Sequence, residues 1–304
     1  MNPESWSKHA PVYAENTRAV TLPYAELMNT MVSVLCSVSV AAPPAVSRSN
    51  VASEFPQVYG RAESPLRVLD IAAGPGAGSA ALARLGRGSI HVISADYAPS
   101  MVEYARQTAD LEGVGNLVDT EVADATSLHF DDGTFDVVVS NFGLFLVPDR
   151  AAALAEAMRV LKPGGILLYS SWTTDGLDDE SARAFHPVLF RAMSAAAGRE
   201  VKAPSIFSGP DVLREHALAI PNVDSVRIER FREGAVIRLS QLVTTTFDNP
   251  GMRGMFDKMS DEEASRFTEA FSASLISATG AKDIEEMWIS ESAAYISIIR
   301  KKQE

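Results

Sequence analysis

An apolar run enters a turn of small residues at Val68-Leu69-Asp70-Ile71-Ala72-Ala73-Gly74-Pro75-Gly76-Ala77-Gly78. Residues that small let the backbone itself approach a ligand, where a Cβ would collide. A helix opening at the same place aims free N–H groups at that ligand. Taken alone, the glycines fit a tight strand-to-helix turn that binds nothing equally well. Twenty residues beyond Gly76, the run His91-Val92-Ile93-Ser94-Ala95-Asp96-Tyr97 places a carboxylate at its end. An acid at the carboxyl end of such a strand can accept both hydroxyls of a ribose, in a dinucleotide as in other nucleosides. Val122-Ala123-Asp124-Ala125 follows a third run, where an Asp can read an adenine amino group beside an apolar wall. A fourth run, Phe135 to Ser140, opens onto Asn141, Phe142 and Gly143. Lys162-Pro163-Gly164-Gly165 then starts a fifth, and its glycine and proline are ordinary turn chemistry.

These residues need a scaffold that brings strand ends together. The runs Arg67–Ile71, Ile90–Ala95, Leu117–Val122, Phe135–Ser140 and Gly165–Trp172 alternate with Ser79–Leu85, Pro99–Leu111 and Arg150–Leu161, whose apolar residues recur at helical spacing. That rhythm predicts an α/β fold, a doubly wound and mainly parallel sheet covered on both faces. Before it, Leu22, Leu27, Met28, Met31, Val32 and Leu35 mark an amphipathic helix. The reading divides the chain into a helical N-terminal part (1–45), a Ser/Pro/Ala-rich connector (46–65) and a catalytic domain (66–304). A helical insertion is expected at about 176–222, with strand-like segments at Val223–Ile237 and Glu286–Ile299 and helix between them.

The 304 residues hold 27 Lys+Arg against 39 Asp+Glu, a net charge of −12 that argues against a nucleic-acid or anionic-membrane partner. The single cysteine, Cys36, cannot form an internal disulfide. Met31–Ala42 falls short of the roughly 20 apolar residues that span a bilayer, so a cytoplasmic location without a membrane span is expected. Acidic runs such as Asp261-Glu262-Glu263 suit helix starts, and no metal site is expected.

Taken in order, the motifs from Leu66 to Trp172 resemble those of class I S-adenosylmethionine-dependent methyltransferases, in particular the small-molecule branch related to quinone biosynthesis. The resemblance implies a Rossmann-like, seven-stranded sheet with an N-terminal helical lid. It implies S-adenosylmethionine as cofactor, with S-adenosylhomocysteine as product. Carried over residue by residue, it makes Asp70 the acid at the methionine end, and Gly74 and Gly76 the glycines under the cofactor. Asp96 becomes the ribose acid, Tyr97 and Met101 flank the adenine, and Asp124 and Ala125 contact its amino group and ring. Asn141 and Phe142 face the methionine moiety. The family usually has glycine where this chain has Ala72; alanine fits there if the backbone is extended. The turn also departs from the dinucleotide pattern, because Ser79 stands where G-x-G-x-x-G needs its last glycine. A nicotinamide-dependent oxidoreductase is therefore the weaker reading.

For the acceptor, His9 and His186 are the candidate bases among five histidines. Tyr13, Phe145, Trp172, Phe185 and Phe190 are the expected pocket residues, with Phe207, Met252 and Phe256 as further candidates. The pooled reading is a small, largely apolar acceptor, methylated most often at oxygen in that branch, with nitrogen, sulfur and carbon open, by a monomer or homodimer. The rival from another class is a fold relative that keeps the cofactor without transferring methyl, as a cyclisation catalyst or binding module.

Overall fold

The apolar runs of the N-terminal half become the strands that carry the site. The computed structural model describes residues 4, 21–29, 31–32, 65–173, 181–201, 209–248, 256 and 259–304. His9, Tyr13, Cys36, Phe207, Met252 and the connector up to residue 64 lie outside them. Strands β1 (Leu66–Ile71), β2 (Ile90–Asp96), β3 (Val118–Val122), β4 (Phe135–Ser140) and β5 (Leu161–Thr173) are parallel. Strand β7 (Met287–Lys301) runs antiparallel between β5 and β6 (Val223–Arg238). The sheet has seven strands in the order β3-β2-β1-β4-β5-β7-β6. Chain order reverses between β1 and β4, and a crevice opens where their carboxyl ends part company.

Helices cover both faces, which is why β4 is buried along its whole length. On one face, the N-terminal helix α1 (residues 21–29) packs beside α2 (Ala77–Gly86) and α3 (Pro99–Leu111). There Leu27 and Met28 meet Val68, Val92, Val137, Ile166 and Ile298. On the other face, α4 (Arg150–Val160) and α6 (Pro210–Leu218) cover Leu69, Ile71, Val138 and Leu167.

Beyond the register pair Thr173↔Ala293, β6 and β7 continue as an antiparallel ribbon. Around it gather α5 (Phe185–Ala197), α7 (Leu239–Asp248) and α8 (Asp261–Thr279), with Phe267, Phe271, Trp288, Ala235 and Ile237 in their shared core. Helix α8 opens on a capping box in which Ser260 and Glu263 satisfy each other's backbone N–H groups, and its first turn holds the acidic run 261–263. This changes the expected insertion. Among the described residues of the segment 176–222, α5 and Val201 join the cap, whereas Ala217 and Ile220, in and just after α6, belong to the core beneath the sheet. The rest of the cap comes from α7 and α8, between β6 and β7.

Candidate functional site

A cavity of about 390 Å³ opens at the carboxyl ends of β1, β2 and β4. Asp70, Ala72, Gly74, Asp96, Tyr97, Met101, Asp124, Ala125, Asn141 and Phe142 all line it. Gly76 does not: a Cβ there would stand 2.7 Å from Ala105 Cα, so its missing side chain makes room for α3. Its φ of 77° is the left-handed turn into α2, a conformation that glycine takes without strain.

Each strand-end acid is held differently. Asp70 is 3% exposed, with Oδ2 2.6 Å from Ser79 Oγ, which lies 2.9 Å from Ser94 Oγ. Its Oδ1 has no hydrogen-bond partner among the described residues. Burial pushes the Asp70 carboxyl up to about 7, the Ser79 hydroxyl opposes that rise, and the Asp96 charge adds to it. Asp96 Oδ2 accepts the Gly74 N–H at 2.9 Å and Oδ1 accepts the Ala98 N–H at 3.0 Å. One carboxylate thus ties the glycine turn to the start of α3, and each oxygen keeps a lone pair for a ligand hydroxyl. Burial raises its pKa as well, against the pull of the Ala98, Gly74 and Tyr97 amides. Asp124 Oδ1 accepts from both Thr126 N and Oγ1, at 2.8 and 2.7 Å, in a local turn. Asp149, also on the wall, caps α4 by accepting the Ala152 N–H.

Four carboxylates therefore line the cavity, and no Lys or Arg is among the described lining residues. Such a wall favours a ligand carrying positive charge and disfavours a pyrophosphate. An anionic group has one welcoming place. Helix α2 begins without a side-chain cap or an acid in its first turn, and Ala77 and Gly78 line the cavity there.

Backbone strain marks the opposite wall. Ala72 has φ 53°, so the extended backbone expected at that departure is not what forms. The alanine is tolerated because Gly143 faces it: a Cβ on Gly143 would lie 2.5 Å from Ala72 O and 2.6 Å from Ala72 Cβ. Phe142 also adopts a left-handed φ of 55°. Its N–H donates to Ser170 Oγ at 2.9 Å, and its ring stacks on Trp172 with centroids 3.7 Å apart and planes 12° from parallel.

Of the expected acceptor-pocket aromatics, Tyr13 lies outside the described residues, and Phe145, Trp172, Phe185 and Phe190 do not line this cavity. Phe145 and Trp172 form a layer behind Phe142, joined edge-on by Tyr24. Phe185 stacks on Trp288, and Phe190 packs with it in the cap. His186 stands behind Trp172, 4.9 Å between ring centroids, and is 4% exposed. Burial pulls its imidazole down to about 3. An imidazole that stays neutral far below pH 7 and lines no part of the cavity is a poor base. Thr21, Tyr24, Ser94 and Ser170 escaped the sequence reading, because nothing in their neighbours marks them. Ser79 was visible only as a missing glycine.

These features define an α/β domain with an acid-lined cavity at the carboxyl ends of its central strands. Residues 69–169 match the family described as "Methyltransferase domain", and in this region the chain resembles the class I S-adenosylmethionine-dependent methyltransferases of quinone biosynthesis. It is 38% identical over 161 residues to a demethylmenaquinone methyltransferase of Clavibacter sepedonicus, covering 50% of this chain and 63% of that protein. It is 42% identical over 112 residues to a ubiquinone/menaquinone biosynthesis C-methyltransferase of Pasteurella multocida, covering 37% and 42%. The chain thus spans less than two thirds of the length of these relatives. Among solved structures, the YcgJ protein of Bacillus subtilis aligns with a TM-score of 0.49 at 19% identity, over 79% of this chain and 94% of that one. No helix among the described residues is long and apolar enough to cross a membrane.

Proposed function

We propose that the chain transfers the methyl group of S-adenosylmethionine to a small, largely apolar acceptor. The observation that carries this reading is the acidic wall: four carboxylates, no opposing cation among the described lining residues, and a buried Asp70 oxygen without a partner. A sulfonium and an ammonium suit that wall; a dinucleotide does not.

Asp96 would hold the ribose hydroxyls and Asp124 the adenine amino group, with Tyr97, Met101 and Ala125 against the ring. Asp70 would face the ammonium, and the first amides of α2 the carboxylate. When bound, the cofactor supplies an electrophilic methyl on a sulfonium. The chain's own contribution is alignment and exclusion of water, for which Phe142 and the aromatic layer behind it are suited. No histidine or lysine is among the described lining residues, so an acceptor that arrives nucleophilic fits best. The matched family region ends at residue 169, before the cap. Relatives named as C-methyltransferases favour carbon as the accepting atom over the oxygen expected from the sequence.

The test is thermal unfolding with S-adenosylhomocysteine and with nicotinamide dinucleotides in parallel. Stabilisation by the first and none by the second is expected; the reverse would overturn the reading. With candidate acceptors, a product heavier by one methylene unit supports transfer, and one of unchanged mass would assign cyclisation instead.

A further inference from the structure

We propose that Ser170 is a positioning residue of the cofactor site, acting through Asn141 and Phe142 rather than on the ligand; the inference rests on the function proposed above. Ser170 lies in β5, fully buried, behind the cavity wall. A hydroxyl has one proton to give and two lone pairs to offer. Here the Phe142 N–H donates to Ser170 Oγ at 2.9 Å, and the Ser170 hydroxyl donates to Asn141 Oδ1 at 2.9 Å. Asn141 Nδ2 then donates to the Thr21 carbonyl at 3.0 Å.

The direction of this chain is forced. The Thr21 carbonyl can only accept, so Asn141 must turn its NH₂ toward it and its oxygen toward Ser170. A flipped amide would set two acceptors face to face. One buried hydroxyl thereby ties the lining residues Asn141 and Phe142 to Thr21, 120 positions away from Asn141 in the chain. It supports Phe142 at a φ of 55°, which a non-glycine residue adopts only when its surroundings hold it there. It also pins α1 at Thr21. One turn further on, the Tyr24 hydroxyl donates to Ser292 O at 2.8 Å, and the Tyr24 ring meets Phe142 edge-on at 5.3 Å. The helix is thus anchored both to the cavity wall and to the β6–β7 ribbon, and the first anchor runs through Ser170.

Ser171 supplies the control. It is the next residue of the same strand, 1% exposed, and its hydroxyl has no hydrogen-bond partner among the described residues. In the full chain, Ser170→Ala and Ser171→Ala are compared by two measurements: amide hydrogen exchange at residues 22–29 without ligand, and calorimetric affinity for S-adenosylhomocysteine. Losing the partners of a buried N–H and a half-buried amide oxygen should weaken affinity about tenfold and speed exchange at 22–29 selectively. Ser171→Ala should match wild type in both. If Ser170→Ala does not fold, Ser170→Cys keeps the volume, weakens the hydrogen bonds and is read in the same assays. Wild-type exchange at 22–29 together with wild-type affinity would overturn the proposal. So would faster exchange spread evenly over every element, which is simple loss of stability. A wild-type chain that fails to bind S-adenosylhomocysteine would instead defeat the functional reading, while the exchange measurement still decides whether Ser170 anchors α1.

Discussion

The cavity wall and the cap are held together by different physics. At the wall, side-chain oxygens grip backbone amides: Asp96 on Gly74 and Ala98, Ser170 on Phe142, Ser140 Oγ on the Leu144 N–H. In the cap, Phe247, Phe256, Phe267 and Phe271 pack ring against ring beside the buried face of the ribbon. Hydrogen bonds fix positions to fractions of an ångström, which a nucleoside site needs, whereas aromatic packing tolerates exchange of one hydrophobic shape for another. The family match covers the first region and stops before the second. The cavity half is thus the part built to the family's pattern, and the cap lies outside it.

The largest expected effect tests whether the two regions separate. Phe271 is fully buried in the cap, so Phe271→Ala should cost about 4 kcal/mol of unfolding free energy, measured by urea denaturation. If the regions are independent, its affinity for S-adenosylhomocysteine stays at the wild-type value. A parallel loss of affinity would mean that the cap supports the wall.

Next in size, Asp96→Ala should weaken S-adenosylhomocysteine binding by about 2 kcal/mol by calorimetry, the scale of hydrogen bonds to a charged group. It should also lower the unfolding midpoint, since two amides lose their acceptor. Unchanged affinity would remove Asp96 from the ribose site.

The third effect belongs to the wall alone. The Asp70 carboxyl is raised to about 7 in the folded chain and ionises near 4 when unfolded. Between those values the folded state holds a proton that the unfolded state has lost, so this group's contribution to stability falls as pH rises from about 4 to 7. An ammonium facing Asp70 prefers the ionised form. Affinity should therefore rise with pH, up to about tenfold between pH 6 and 7, with proton release on binding. Asp70→Asn should flatten that profile; a profile that keeps its slope would place the titrating group elsewhere.

The smallest effect concerns strain. Ala72→Gly should relieve the left-handed φ at 72 and, set against glycine's greater freedom when unfolded, change stability by no more than about 1 kcal/mol, upward. A clear loss of thermal stability would show that the Ala72 methyl packing against Gly143 matters more than the strain.

What was legible in the sequence follows this division. Asp70, Gly74, Asp96 and Asp124 sit at strand ends and turns, where a residue's place depends on its own βα unit. Alternating runs and small residues suffice to locate them, and they all reach one cavity. Gly76 makes room for α3, and a glycine required by a packed helix reads the same in sequence as one required by a ligand. The aromatic residues were the least legible. Phe145, Trp172, Phe185 and Phe190 are apolar whether they face a cavity or one another, and composition cannot tell the two apart.

The succession of strands and helices and the place of the strand-end acids were in the sequence, because these rest on local periodicity and turn chemistry; the cofactor class came from the family those motifs resemble. Only the tertiary structure decided which side chains face the cavity, that Ala72 takes a left-handed backbone, and that the cap is assembled from two separate connections. Those outcomes depend on partners as distant in the chain as Tyr24 and Ser292, or Thr21 and Asn141. Contacts of that span are selected by global packing, and no local pattern of residues encodes them.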